Sequence, residues 1–133
     1  MSTGELLFLT RMQIERLHDL SLARFGGSAG VRDEGLIDSA LASAKNAFFY
    51  GYGDLFDIAA AYAFHLAESQ AFIDGNKRTA IGAAMTFLDL NGVGDMPDDN
   101  SLYDAMIAVA NKQLDKAGLA ALFRHAAKPN EQP

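Results

Sequence analysis

Two stretches of this sequence carry apolar or small side chains on every face a helix could present. Residues 58 to 67 read Ile-Ala-Ala-Ala-Tyr-Ala-Phe-His-Leu-Ala, and residues 79 to 88 read Thr-Ala-Ile-Gly-Ala-Ala-Met-Thr-Phe-Leu. A helix that is apolar all round has to be buried. Two such helices joined by the short polar segment between them predict a central hairpin with the other helices packed around it.

The flanking sequence supplies those other helices. Thr10 and Gln13 have capping-box spacing, and Leu9 and Ile14 sit where a hydrophobic staple would place them, so a helix should begin at Arg11. Its inner face should be Ile14, Leu17, Leu20 or Ser21, and Arg24 or Phe25, with Gly26-Gly27 as a left-handed stop. Asp33 can cap a second helix with Leu36, Ile37, Ala40, Leu41 and Ala44 inward. Asn91-Gly92 should end the second buried helix. Pro97 then breaks the chain ahead of a Ser101/Asp104 capping pair and an amphipathic face of Leu102, Met106 and Val109 or Ala110. Asp115 can cap a last helix carrying Leu119, Leu122, Phe123 and Ala126. The expected fold is all-α: one compact domain of about six helices over residues 5–127, with a frayed tail at 128–133. No alternating pattern is long enough to suggest a sheet.

Composition bounds the function classes. The chain has 133 residues, 50% hydrophobic and 21% charged, and no cysteine, which excludes a disulfide scaffold and a cysteine zinc site. A chain of this size buries about two-thirds of the surface its unfolded form exposes, enough to fold unaided. The formal charge of −6 argues against direct nucleic-acid binding, which needs a positive patch. No apolar run approaches a membrane span, and the start Met-Ser-Thr-Gly-Glu lacks a signal peptide's basic region, so the expected compartment is the cytoplasm.

Chemistry concentrates between the two buried helices, in Gln70-Ala71-Phe72-Ile73-Asp74-Gly75-Asn76-Lys77-Arg78-Thr79. Free N–H groups and the positive end of the macrodipole make a helix start an anion site, and Lys77 and Arg78 add full charges. Arg78 can grip phosphate through its fork, and Lys77 would act as a point charge. Asp74 repels phosphate unless a cation lies between them, which suggests Mg²⁺ bridging carboxylate and polyphosphate. Gly75 lets the backbone approach closely, while Phe72 and Ile73 anchor the loop. The residues by themselves leave two readings, a nucleotide or phosphate site and a merely capped helix start. A P-loop is rejected: Lys77 does not follow a glycine, no glycine lies five before Gly75, and the preceding segment is helical.

At these residues the chain resembles the Fic/Doc family, whose signature is His-x-Phe-x-(Asp/Glu)-Gly-Asn-x-(Lys/Arg), with Gly-Asn-Lys-Arg typical of its death-on-curing toxins. Phe72, Asp74, Gly75, Asn76, Lys77 and Arg78 match, and Gln70 stands where the histidine should be. The resemblance extends to Phe25-Gly26-Gly27, to Arg32-Asp33-x-Gly35-Leu36, and to Thr79-Ala80 leading into Phe87-Leu88-x-Leu90-Asn91-Gly92.

The resemblance implies an all-helical transferase that moves part of ATP onto a protein hydroxyl. Members with glycine at the position of Lys77 transfer AMP, whereas lysine there implies transfer of the γ-phosphate. For the death-on-curing toxins it further implies a threonine of translation elongation factor Tu as target, arrested translation, and an antitoxin of the Phd type whose C-terminal segment folds on binding. Asp74 would hold Mg²⁺, and Asn76, Lys77, Arg78 and the loop amides of Gly75 onward would hold phosphates, catalysis being mostly positioning and charge stabilisation. The family histidine takes the target hydroxyl's proton. A glutamine amide has no such basicity, so Gln70 predicts a disabled chain, with a native glutamine and an inactivating substitution both open.

Other candidates have plainer readings. His65, five helical residues before Gln70, lies on a different face and about 7.5 Å back along the axis, which predicts a hydrogen-bonded core histidine. His18 and His125 have no ligand-like spacing. Residues 46 to 54, Asn-Ala-Phe-Phe-Tyr-Gly-Tyr-Gly-Asp, read either as a loop folding its rings onto the core or, by resemblance, as a target-docking flap of Phe49, Tyr50, Gly51, Tyr52 and Gly53. Asp95, Asp98 and Asp99 read as a solvated capping loop. Three functions compete: a kinase toxin, an AMP transferase, and a non-catalytic nucleotide- or partner-binding module.

Overall fold

The computed structural model describes residues 6–94, 96 and 99–127. Among them the chain forms six helices: α1 (Arg11–Phe25), α2 (Glu34–Phe49), α3 (Leu55–Ser69), α4 (Asn76–Leu90), α5 (Asp99–Ala110) and α6 (Lys116–Ala126). The one strand-type pairing among these residues is an isolated antiparallel bridge between Val31 and Phe72. The fold is a compact all-α domain.

The expected hairpin is α3 and α4. Ile58, Ala59, Ala60, Ala61, Tyr62 and Ala63 are all buried, so α3 has no solvent face over this stretch. Its run of alanines lets α2, α4, α5 and α6 all pack against it. Tyr62 is its largest buried side chain, and its hydroxyl oxygen accepts from the backbone N–H of Leu9 at 2.9 Å. Burial pushes that phenol up to about 12. In α4 the buried set is Thr79, Ala80, Ile81, Ala83, Ala84, Phe87 and Leu88.

The helix ends follow their local chemistry. Thr10 and Gln13 form the capping box on α1, and Leu9 and Ile14 are both buried behind it. Asp33 caps α2 by accepting from Gly35, and Asp115 caps α6 by accepting from Gly118. Asp54 and Asp57 form a box on α3, and Arg124 of α6 bonds both Asp54 oxygens at 2.9 Å, tying the two helices together. Asn91 follows α4, and its side chain bridges to both backbone groups of Leu7.

Several expectations need correction. On α1 the buried face is Ile14, His18 and Ser21, so Ser21 rather than Leu20 takes the shared position and Phe25 is largely exposed: among the described helices α1 packs on α2 and α4, and it buries a narrow stripe. In α6, Ala120 rather than Leu122 completes the inner face, because the alanine-rich surface of α3 admits a close approach. Gly26 does take a positive φ of 83°, but with ψ of 178°, so the chain leaves α1 extended rather than left-handed. Helix α5 begins at Asp99, which puts Ser101 inside it rather than ahead of it. Residues 1–5, Asp95, Pro97, Asp98, the Asp99 side chain and the tail at 128–133 lie outside the described residues.

Candidate active site

The hairpin loop is built from the end of α3 to the start of α4. Gln70 follows the last turn of α3 with φ 52° and ψ 52°, a left-handed conformation uncommon for a residue with a side chain. Arg32 holds it there. Its Nε donates to the Gln70 carbonyl at 2.9 Å and its Nη2 donates to those of both Ser69 and Gln70, so a cation caps the negative end of α3.

Arg32 belongs to a strap that runs along the loop. The N–H groups of Arg32 and Asp33 both donate to the Ala71 carbonyl, at 2.7 and 3.1 Å, and that of Ile73 donates to Gly30 at 3.0 Å. Beneath the loop, Phe72 is buried and stacks on His18 with ring centroids 3.9 Å apart. His18 Nε2 donates to the Asp74 carbonyl at 2.7 Å, which fixes the imidazole proton on that nitrogen. Asn76 completes the frame: its amide oxygen accepts from Phe72 N–H at 3.0 Å and its amide nitrogen donates to the Phe72 carbonyl at 2.9 Å. The Asn76 side chain therefore holds the loop shut, and what it offers a ligand is its backbone N–H.

The Asp74 carboxylate is exposed and oriented by backbone donors, Oδ2 from Ser28 at 3.1 Å and Oδ1 from Gly75 at 3.0 Å. Each bond uses one lone pair of its oxygen and leaves others for a cation. Gly75 is the N-cap of α4 at φ 78°, and no side chain caps that helix end, so its first-turn N–H groups keep their capacity for an anion. Arg78, one turn on, has a buried Nη1 with no hydrogen-bond partner among the described residues. Its guanidinium carbon sits 3.9 Å from the ring centroid of Phe25 and 4.1 Å from that of Tyr103.

Gln70, Asp74, Gly75, Asn76, Lys77 and Arg78 thus line a single open cleft of about 470 Å³, together with Phe25, Gly26 and Tyr103. Its size suits a small-molecule ligand. The donor set fits a polyphosphate: the uncapped helix start, Lys77, and Arg78 with its orphaned buried Nη1 all seek negative oxygen. It also fits Mg²⁺ shared with phosphates, since Asp74 brings to the same cleft one oriented carboxylate with free lone pairs.

The flap residues are not part of this lining. Phe48 and Phe49 pack on Phe8, at 6.0 Å each, while Tyr50 and Tyr52 are 79% and 90% exposed. Gly51 and Gly53 donate to the α2 carbonyls of Asn46 and Ala47, so the segment curls back onto its own helix end. His65 is half-buried and bonds Lys116 at 3.0 Å, and burial first, then Lys116, holds its pKa down. Two side chains that build the site, His18 and Tyr103, carried no motif in the sequence, and Phe25 and Arg32, which lie in stretches of the resemblance, carried no sign there of contact with this loop. His18 occupies an inward helical position four residues after Ile14, the one sequence signal that it faces the interior.

The profile described as the Fic/DOC family matches residues 8–88, from the segment before α1 through nearly all of α4. The chain is similar to "Toxin Doc" of Mycolicibacterium smegmatis (strain ATCC 700084 / mc(2)155), 46% identical over 103 residues, covering 73% of this chain and 78% of that one. It is also similar to "Protein kinase doc" of Escherichia phage P1, 32% identical over 109 residues, covering 81% of this chain and 86% of that one. With the signature loop, the helical frame and these relatives in agreement, the chain belongs to the Fic/Doc family.

Proposed function

We propose that this chain has the frame of a type II toxin: a Mg-ATP-dependent protein kinase that phosphorylates a threonine of elongation factor Tu and thereby arrests translation, disabled here by Gln70. The observation that carries the reading is the convergence of Asp74, Lys77, Arg78 and the uncapped start of α4 on the cleft that Gln70 also lines. A relative named a protein kinase favours phosphoryl over AMP transfer, and one named a toxin supports a cognate antitoxin, which we take to be of the Phd type.

In this reading Lys77, Arg78 and the first-turn N–H groups of α4 bind and orient the ATP phosphates, and Asp74 holds Mg²⁺, which neutralises charge on them. The target hydroxyl oxygen bonds to the γ-phosphorus as the bridging P–O bond breaks and ADP leaves. The hydroxyl proton needs an acceptor at residue 70. A glutamine amide can hydrogen-bond that hydroxyl but cannot take its proton near neutral pH, a loss of about 10²- to 10⁴-fold.

The test is Gln70→His, produced under tight repression, freed of antitoxin and incubated beside the parent with Mg-ATP and elongation factor Tu, with target mass as the readout. One added phosphate with Q70H alone is expected. Added AMP would make the chain a nucleotidyl transferase, and no change with either protein would mean that the target is another protein or that the chain is a binding module.

A further inference from the structure

Arg78 is the cleft's most constrained cation, and its constraints come from outside the signature loop. Phe25 is the last residue of α1, and Tyr103 lies in α5, so two helices remote in sequence each bring one ring to the guanidinium, at 3.9 and 4.1 Å from its central carbon. A guanidinium is planar and carries its donors around its edge, while its faces suit aromatic rings. Rings against the faces leave the edge as the route for polar ligands. Arg78 Nη1 is buried, charged and without a partner among the described residues, in a side chain that lines the cleft. A buried cationic donor is costly to leave unpaired, and an arriving oxyanion removes that cost.

We infer that Phe25 and Tyr103 are positioning residues that clamp the Arg78 guanidinium between aromatic rings, pre-orienting its free edge for a phosphate oxygen of the ligand. The inference rests on the reading of the cleft as a phosphate site. It adds that phosphate affinity depends on where α1 ends and where α5 lies, and not on the loop alone. Freezing the fork before the ligand arrives removes most of the rotamer entropy that Arg78 would otherwise lose on binding.

The experiment uses the Gln70 chain as it stands, since binding needs no general base. Calorimetric titration with Mg-ATP is compared among the parent, F25L, Y103L and Y103F, with thermal unfolding checking that each is folded. The ¹⁵N–¹H signals of the Arg78 guanidinium are recorded in parallel. F25L and Y103L are each expected to weaken Mg-ATP binding by about threefold to thirtyfold, and Y103F by less than about twofold, because the ring rather than the hydroxyl makes the contact. In the parent the Arg78 NH₂ groups should rotate slowly enough to give separate signals, and Y103L should average them.

Affinity unchanged in both leucine variants, or lost equally in Y103F, would overturn the clamp. A parent that binds no Mg-ATP would refute the phosphate-site reading instead. The clamp is then judged on the guanidinium signals: averaged in the parent, it is overturned; separate in the parent and averaged in Y103L, it is supported.

Discussion

Arg32 Nε donates to the carbonyl oxygen of Gln70 at 2.9 Å, across a gap of 38 residues in sequence, and in doing so holds Gln70 in a left-handed conformation at the mouth of the cleft. Left-handed backbone costs a residue with a side chain about 1–2 kcal/mol, and glycine escapes most of that. Gln70→Gly is therefore expected to stabilise the fold by about 0.5–1 kcal/mol, with a rise in Tm of roughly 2–4 °C. Arg32→Met should cost about 1–2 kcal/mol by releasing the α3 carbonyls. Urea unfolding of both variants checks the pair, and a destabilised Q70G would contradict the account. Histidine is among the residues enriched in left-handed backbone, so Q70H should fold like the parent.

His18 is predicted to be the structural keystone of the loop. It is 3% exposed, stacked on Phe72 and bonded to the Asp74 carbonyl, so His18→Ala removes a buried ring and a hydrogen bond together. The expected loss is about 3–5 kcal/mol, in the range of large-to-small changes in packed cores. His125→Ala, on the last turn of α6, should change stability by less than about 0.5 kcal/mol. Comparable losses for the two in chemical denaturation would refute the distinction.

Neighbouring glycines should respond differently to alanine. A Cβ on Gly26 meets nothing within 4 Å, whereas one on Gly27 would come within 2.9 Å of Asp74 Oδ2. Both have positive φ, 83° and 122°, which L side chains rarely adopt, so both variants carry backbone strain on the order of 1–3 kcal/mol. Gly27→Ala must in addition displace the carboxylate. Its Mg-ATP affinity is expected to fall severalfold below that of G26A, measured by titration, and equal affinities would mean the Asp74 orientation is unimportant for binding.

The Arg124–Asp54 pair gives a pH prediction. The Arg124 guanidinium, donating to both carboxylate oxygens, holds Asp54 at about 2 against an ordinary 3.8. A depressed folded-state pKa means the contribution is complete above the unfolded value and fades as pH falls from about 4 toward 2. The side chains are 44% and 50% exposed, so solvent screening reduces the effect to about 1 kcal/mol or less. Arg124→Met should lower stability at neutral pH and flatten the acid limb between pH 4 and 2, as followed by thermal melts. A parent and variant with parallel acid limbs would exclude the linkage.

Much of this protein was legible in its sequence because the deciding physics was local. Apolar residues on every face of 58–67 and 79–88 fixed the buried hairpin, and side chains at Thr10, Asp33 and Asp115 fixed helix starts by bonding N–H groups two or three residues away. The loop's polar pattern marked the lining of the cleft for the same reason, since Gly75 through Arg78 are contiguous and all line it. The tertiary structure decided how that loop is held. Arg32, His18, Phe25 and Tyr103 reach it from three other parts of the chain, and no periodicity announces such a meeting. It likewise decided that Asn76 spends its amide on Phe72 and that the tyrosines at 50 and 52 stay in solvent. A side chain's partner across the fold depends on how whole helices stack, which one segment of sequence does not encode.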